Sequence, residues 1–218
     1  MRQILLSLWL TVSLAGTCFA GASRDFDGVD DKLTVTLPEL SDAITVMAWI
    51  NLQTDGSTYY HILSRSDIRD NPNYVFRLDM SGASDLLQFG WKKSDNTGWI
   101  FFSSANGSFT SVGTWAHVAA SHDWGTTDSE LYINGVLQTD SGSDTIGPRL
   151  TLTPDGRIGI RAAPGSLLPF NGNIAYAQLY SRTMTISEIQ EQMFHPCSIT
   201  NSLQGCWPIM GADSPEVD

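Results

Sequence analysis

Two groups of acids in this 218-residue chain are spaced so that they could do chemistry. Asp27, Asp30 and Asp31 crowd the stretch Asp27-Gly28-Val29-Asp30-Asp31, and a Gly-containing loop with three carboxylates can wrap hard oxygen ligands around calcium. The alternative is a turn of solvated acids. Asp128-Ser129-Glu130 puts two carboxylates at i and i+2, one face of a strand, which is how paired acids are presented for glycosidic cleavage. No third carboxylate follows them, and they sit beside an Asn134-Gly135 turn, so a solvated strand end is the better reading. The four histidines, His61, His117, His122 and His195, lack zinc-ligand spacing, and His117 and His122 point to opposite faces of a continuous strand. No Gly-x-Ser-x-Gly motif supplies a nucleophile, and no catalytic residue is expected.

Aromatic rings are the third resource. Six of the seven tryptophans lie beyond residue 20. Trp91 and Trp99 stand at the feet of the polar stretch 92–98, which contains Asn96. Tyr59, Tyr60 and Trp124, next to Asp55, Asp123 and Gly125, could form a second rim. Rings flanked by amides and acids suit a saccharide, whose C–H faces pack on the ring while its hydroxyls take hydrogen bonds. The competing reading makes Trp91 and Trp99 cross-strand neighbours in a core.

Twelve basic against 23 acidic residues give a net charge of −11, which argues against nucleic acid or an anionic membrane as partner. Neutral glycans or cations fit better. Of the acids, 18 are Asp and 5 are Glu, so charge should concentrate in turns and loops. Residues 1–20 read as an export signal: Arg2, an apolar run from Ile4 to Leu14, then Cys18-Phe19-Ala20 before Gly21. The mature chain is then secreted, extracellular or periplasmic, with no further apolar segment long enough for a transmembrane helix. In such an oxidising compartment Cys197 and Cys206, the two cysteines left after cleavage, should pair.

The elements that must position these groups are mostly strands. Short alternating runs separated by Gly, Asn, Asp, Ser and Pro predict strands at Lys32–Leu37, Ile44–Leu52, His61–Ser64, Tyr74–Met80, Leu86–Lys92, Trp99–Ser103, Trp115–Ser121, Glu130–Asn134, Val136–Thr139, Arg157–Ile160 and Asn173–Tyr180. Ile44–Ile50 is apolar on both alternating sets, so it should be covered on both faces. Asn134-Gly135 between two such runs predicts a hairpin. One helix follows: Thr185 and Glu188 make a capping box, Ile186, Ile189 and Met193 share a face, and Pro196 ends it.

Four landmarks together resemble the laminin-G-like branch of the concanavalin A-like lectin/glucanase superfamily, related to pentraxins. They are the opening Asp25-Phe26-Asp27-Gly28-Val29-Asp30-Asp31, the strand Ile44–Ile50, the pair Trp115-Ala116-His117-Val118-Ala119 and Leu131-Tyr132-Ile133-Asn134-Gly135-Val136, and the closing Phe170–Ile174, Leu179–Arg182 and Ser187–Ile189. The resemblance spans about residues 24–194 and implies a two-sheet jelly roll, with Trp49 and Trp115 in its core and His117 as a hydrogen-bonded structural residue. Relatives place Asp and Glu after the closing Gly-x-Ile, where the Asp helps hold calcium; here Ala175 and Tyr176 stand there, which weighs against that ion. The segment Leu203–Ile209 resembles a strand that precedes the Phe-Asp-Gly start in relatives, yet here it comes last. It either completes the sandwich from the other end or begins a second unit.

The expectation is therefore an all-β, two-sheet antiparallel jelly-roll sandwich with one short C-terminal helix. Residues 1–20 are the signal, 21–196 the jelly roll and 197–218 a disulfide-tethered strand and tail. Its role is recognition of a glycan or glycoprotein surface without catalysis, with calcium the one cofactor entertained. A structural or adhesive protein-binding module, and behind it a divergent glycoside hydrolase, are the alternatives.

Overall fold

The computed structural model describes residues 23–37, 42–53, 59–66, 74–81, 86–92, 99–105, 112–126, 128–142, 155–163 and 166–209. Its strands are β1 (Arg24–Asp27), β2 (Leu33–Thr36), β3 (Ala43–Leu52), β4 (Tyr59–Ser66), β5 (Tyr74–Ser81), β6 (Leu86–Lys92), β7 (Trp99–Ser104) and β8 (Trp115–Asp123). They continue as β9 (Ser129–Ile133), β10 (Val136–Leu137), β11 (Asp140–Gly142), β12 (Asp155–Ile158), β13 (Ile160–Ala163), β14 (Ser166–Pro169), β15 (Asn171–Tyr180) and β16 (Leu203–Trp207), with one helix, α1 (Ile186–Phe194). The first sheet runs β1-β15-β3-β8-β9-β10, with β16 also on β15. The second runs β11-β7-β6-β5-β4-β12-β2, and β13 and β14 form a small hairpin.

Alternation puts Ile44, Val46, Ala48 and Ile50 of β3, with Ala116, Val118 and Ala120 of β8, on the face that meets the second sheet. There they pack against Ile62, Leu87, Phe89, Trp91, Ile100 and Phe102 in one inter-sheet core. The opposite residues of the same strands, Met47 and Ala119, join Tyr132, Tyr180, Met184 and Ile189 in a second cluster under α1. This is the double coverage that the apolar run 44–50 required, and it makes the first sheet the central layer. The hairpin forms as expected: Asn134 and Gly135 have φ of 52° and 71°, and Ile133 pairs with Val136. Helix α1 begins on the capping box, with Thr185 Oγ1 accepting from the Glu188 N–H at 3.3 Å and Glu188 Oε2 accepting from the Thr185 N–H at 2.9 Å. Its buried face is Ile189 and Gln192 rather than the expected Ile186 stripe, because Ile186 starts the helix on the solvent side.

The C-terminal segment completes the sandwich. Strand β16 pairs antiparallel with β15, Ala177 opposite Trp207 and Gln178 opposite Cys206, while Ile209 enters the inter-sheet core. Cys197 and Cys206 are bonded, their Cα atoms 6.0 Å apart. Buried polar bonds fasten the same region: Tyr180 Oη lies 3.0 Å from both Gln192 Oε1 and the Ile199 carbonyl, and the Cys197 N–H donates to Gln178 Oε1 at 3.2 Å. Burial pushes the Tyr180 phenol up to about 12. Among the described residues no helix is long and apolar enough to cross a membrane. Residues 1–20 and Asn96 lie outside the described residues.

Cross-linking residues nine apart in sequence removes a short loop's worth of freedom from the unfolded chain. A Cys197→Ser/Cys206→Ser variant should therefore lose about 2–3 kcal/mol of stability in urea denaturation. An unchanged midpoint would mean that the pairing of β16 on β15 needs no covalent tether.

Candidate functional site

On the outer face of the first sheet, a cleft of about 780 Å³ opens between the β8–β9 end of the sheet and the entrance to α1. Strand alternation supplies one wall. With Leu131 and Ile133 turned into the inter-sheet core, Glu130 and Tyr132 face outward beside Ser121 and Asp123 of β8. The tight turn between these strands adds Thr126 and Asp128, the head of β9 adds Ser129, and Asp123 Oδ1 secures the turn by accepting from the Gly125 N–H at 2.7 Å. The other wall is the segment from Arg182 to Glu188. Leu137 on the hairpin and Ile186 on the helix form apolar lips, 50% and 43% exposed. The helix is braced against the hairpin by Gln190 Nε2 donating to the Gly135 carbonyl at 2.9 Å.

Two polar pairs fix the charges in this cleft. Arg182 grips Glu188 with both guanidinium ends, at 2.9 and 2.6 Å. That hydrogen bond, helped by the Thr185 amide, holds the Glu188 carboxyl far below its ordinary value, from 4.5 to about 2. Tyr132 donates its phenol proton to Glu130 Oε2 at 2.6 Å, and burial together with that bond raises the phenol well above its usual range. Asp123, Asp128 and Glu130 have no cationic partner among the described residues. The cleft thus offers one neutralised ion pair, three carboxylates bearing formal charge, and several hydroxyls.

The expected site residues fall elsewhere. Trp91 is 2% exposed and Trp124 is 8% exposed, both in the inter-sheet core. The Trp91 ring stacks on His122 with centroids 3.9 Å apart, and Trp124 meets the same imidazole edge-on at 5.2 Å. Neither ring has a face open to a sugar, so the platform expected at Trp91 and the rim expected at Trp124 are corrected to core packing. The reason is alternation: Trp91 shares its strand face with Phe89 and Leu87, and that face meets the other sheet. Trp99 pairs through its backbone with Lys92, as its place on the next strand required, and its ring lies outside the described side chains. Tyr59, at the head of β4, is 41% exposed.

The acidic loop closes on itself. Asp27 Oδ1 accepts from the Val29 N–H at 2.8 Å, Asp31 Oδ2 accepts from the Asp27 N–H at 2.9 Å, and Asp31 also approaches Arg24 at 3.8 Å. Asp27, Asp30 and Asp31 do not converge as a metal-holding group, and no three such side chains do so among the described residues. In this arrangement the loop does not fit the six to eight oxygen ligands that calcium takes. The position filled by acids in relatives is likewise apolar here, with Ala175 fully buried.

His117 and His122 are structural. His122 Nδ1 lies 2.7 Å from Ser129 Oγ, and burial between the indoles lowers its pKa to about 4. His117 is buried beside Trp49, and desolvation takes it down to about 3. Neither ring nitrogen of His117 has a hydrogen-bond partner, so its expected side-chain bond is replaced by backbone bonds to Asn134. Sequence reasoning singled out Asp128 and Glu130 but read them as a solvated strand end. It missed Tyr132, Arg182 and Glu188 as their companions, although the capping box already fixed where Glu188 would stand.

A laminin-G-type family profile, described as the concanavalin A-like lectin/glucanases superfamily, matches residues 27–190. The chain belongs to this superfamily. Solved structures sharing its fold include the native heptameric SAP-like pentraxin of Limulus polyphemus, at 16% identity and TM-score 0.59 over 78% of this chain and 80% of that one. A Bacteroides ovatus protein described provisionally as carbohydrate binding shares 16% identity and TM-score 0.65, over 89% of this superfamily member and 53% of its own chain. The CBM40 of the Ruminococcus gnavus IT-sialidase, bound to α2,3 sialyllactose, shares 13% identity and TM-score 0.60 over 78% and 96%. At such identities the likeness is one of fold. Among curated proteins, none is similar enough in sequence to count as a match.

The Arg182–Glu188 pair gives a pH test. A carboxyl whose folded value lies below its unfolded one contributes stability above the unfolded value, and that contribution is lost as pH falls through the folded one. Between pH 4.5 and about 2 the parent should therefore lose stability that Glu188→Gln never had. The expected difference above pH 5 is about 1 kcal/mol, the scale of a partly exposed pair. Parallel acid-denaturation curves would show that the ion pair is stabilised no more than its hydrated groups.

Proposed function

We propose that this chain is an exported, non-catalytic carbohydrate-binding module that seats a saccharide in the cleft between the β8–β10 end of the first sheet and the start of α1. The observation that carries the reading is the build of the cleft: two exposed apolar residues, Leu137 and Ile186, line it together with hydroxyls and carboxylates. Saccharides present the matching pattern, C–H faces edged by hydroxyls that need donors and acceptors. The superfamily membership and the carbohydrate-binding neighbours support the class of ligand. The engagement of both glutamates supports a non-catalytic role: Glu188 is held in its ion pair and Glu130 accepts from Tyr132. Export is supported by the residues 1–20 pattern and by the disulfide, which persists in an oxidising compartment.

The test is glycan-array binding by residues 21–218, with calcium and again with chelator, followed by affinity measurements on Leu137→Ala/Ile186→Ala. Binding should appear in both buffers and weaken about fivefold in the double variant, whose lips are exposed and contribute little to the fold. Binding that vanishes with chelator would return calcium, and with it Asp27, Asp30 and Asp31, to the site. A folded protein that binds no glycan in either buffer would overturn the proposal in favour of a protein-binding or adhesive module. Release of reducing sugar from a bound oligosaccharide would favour a glycoside hydrolase built on Asp128 and Glu130.

A further inference from the structure

We infer that this cleft selects saccharides carrying a protonated amine over their N-acetylated counterparts, and rejects anionic ones such as sialylated glycans. The inference rests on the reading that the cleft is where the saccharide sits. Its basis is the balance of charge inside a shaped cavity. Arg182 is the one cation lining the cleft among the described residues, and both guanidinium ends are held by Glu188 at 2.6 and 2.9 Å. A bidentate pair of this kind has spent the fork that an anionic sugar would need. In the same cleft, Asp123, Asp128 and Glu130 carry formal charge with no cation beside them among the described residues. Glu130 is oriented by the Tyr132 hydroxyl, which engages Oε2 at 2.6 Å, and Oε1 makes no hydrogen bond among the described residues.

An incoming carboxylate or sulfate would therefore meet like charges and an occupied arginine, whereas an ammonium would meet carboxylate acceptors and displace no existing ion pair. The apolar lips add a second requirement. Leu137 and Ile186 both line the cleft and are exposed, so a well-fitting occupant presents an apolar face as well as a charge, which a bare inorganic cation does not. A hexosamine with a free amine meets both conditions. The chain's net charge of −11 acts in the same direction at longer range.

The experiment compares tetramers of glucosamine and N-acetylglucosamine, and lactose with 3′-sialyllactose, by calorimetry at pH 6 and low salt, with the parent and with Asp128→Asn/Glu130→Gln. The glucosamine tetramer should bind about fivefold more tightly than its acetylated form, the scale of one or two partly exposed charge contacts. That preference should fall toward unity in the double variant and in 0.5 M salt, where charges are screened within a few ångströms. Because the variant removes two charges from many, its loss of preference separates the cleft from general attraction to an acidic surface. 3′-Sialyllactose should bind more weakly than lactose. Equal binding of the two tetramers, an undiminished preference in the double variant, or tighter binding of sialyllactose would each overturn the inference. In those cases measurable binding of a neutral saccharide would leave the proposed function standing. A folded protein that binds none of the four overturns both.

Discussion

Strand β15 is hydrogen-bonded along both edges, and most of the molecule hangs on that fact. One edge pairs with β3 from Gly172 to Tyr180; the other is shared by β1, opposite Asn171–Ile174, and β16, opposite Ala177–Tyr180. Between the two halves the register against β3 slips by one residue, Ala175 facing Trp49 and Gln178 facing Met47. This bulge, with Tyr176 at φ 48°, resets the alternation so that Ile174, Ala177 and Leu179 all reach the inter-sheet core. A regular strand would turn Ala177 and Leu179 outward. It would also turn Gln178 and Tyr180 inward, away from the polar groups that now receive them.

Those outward groups decide where the helix lies. Tyr180 reaches Gln192 of α1 and the Ile199 carbonyl beyond it, and Gln178 accepts from the Cys197 amide. Buried polar groups of this kind are costly unless matched, so they specify one docking position for the helix more sharply than the apolar contacts of Met184 and Ile189 alone. Once α1 is set, its capping residue Glu188 and the partner Arg182 are set as well, and the gap between them and the β8–β9 turn becomes the cleft. The site is thus a by-product of how a short helix covers the outer face of a sheet.

Much of this was legible in the residues. The doubly apolar β3, the Asn134-Gly135 hairpin and the Thr185/Glu188 box are local signals, each complete within about ten residues, and each formed where the pattern placed it. The cleft was not legible, because its walls come from residues 121–138 and 182–188 and nothing local reports that they meet. Trp91 and Trp124 show the converse difficulty. Alternation marks two faces of a strand but does not say which one another sheet will cover, and a polar stretch beside Trp91 looked like an approach to its ring. The acidic loop matched a calcium cage in composition. Its backbone amides claimed oxygens of Asp27 and Asp31 in the fold described here.

The sharing of one β15 edge by β16 and β1 has a geometric reading of its own. Both run antiparallel to β15, so β16 descends from Leu203 opposite Tyr180 to Trp207 opposite Ala177, and β1 continues the same line from Arg24 opposite Ile174 to Asp27 opposite Asn171. They are two collinear pieces of one interrupted strand, about 10 Å apart where they face each other across the bulge. The Pro208 carbonyl, accepting from the Tyr176 N–H at 3.3 Å, already bridges part of that distance. The order of elements along the polypeptide is therefore not dictated by the sandwich. A short join from Ile209 to Arg24 would make the interrupted strand whole, and a cut at a turn on the far side would give a circularly permuted chain of the same architecture.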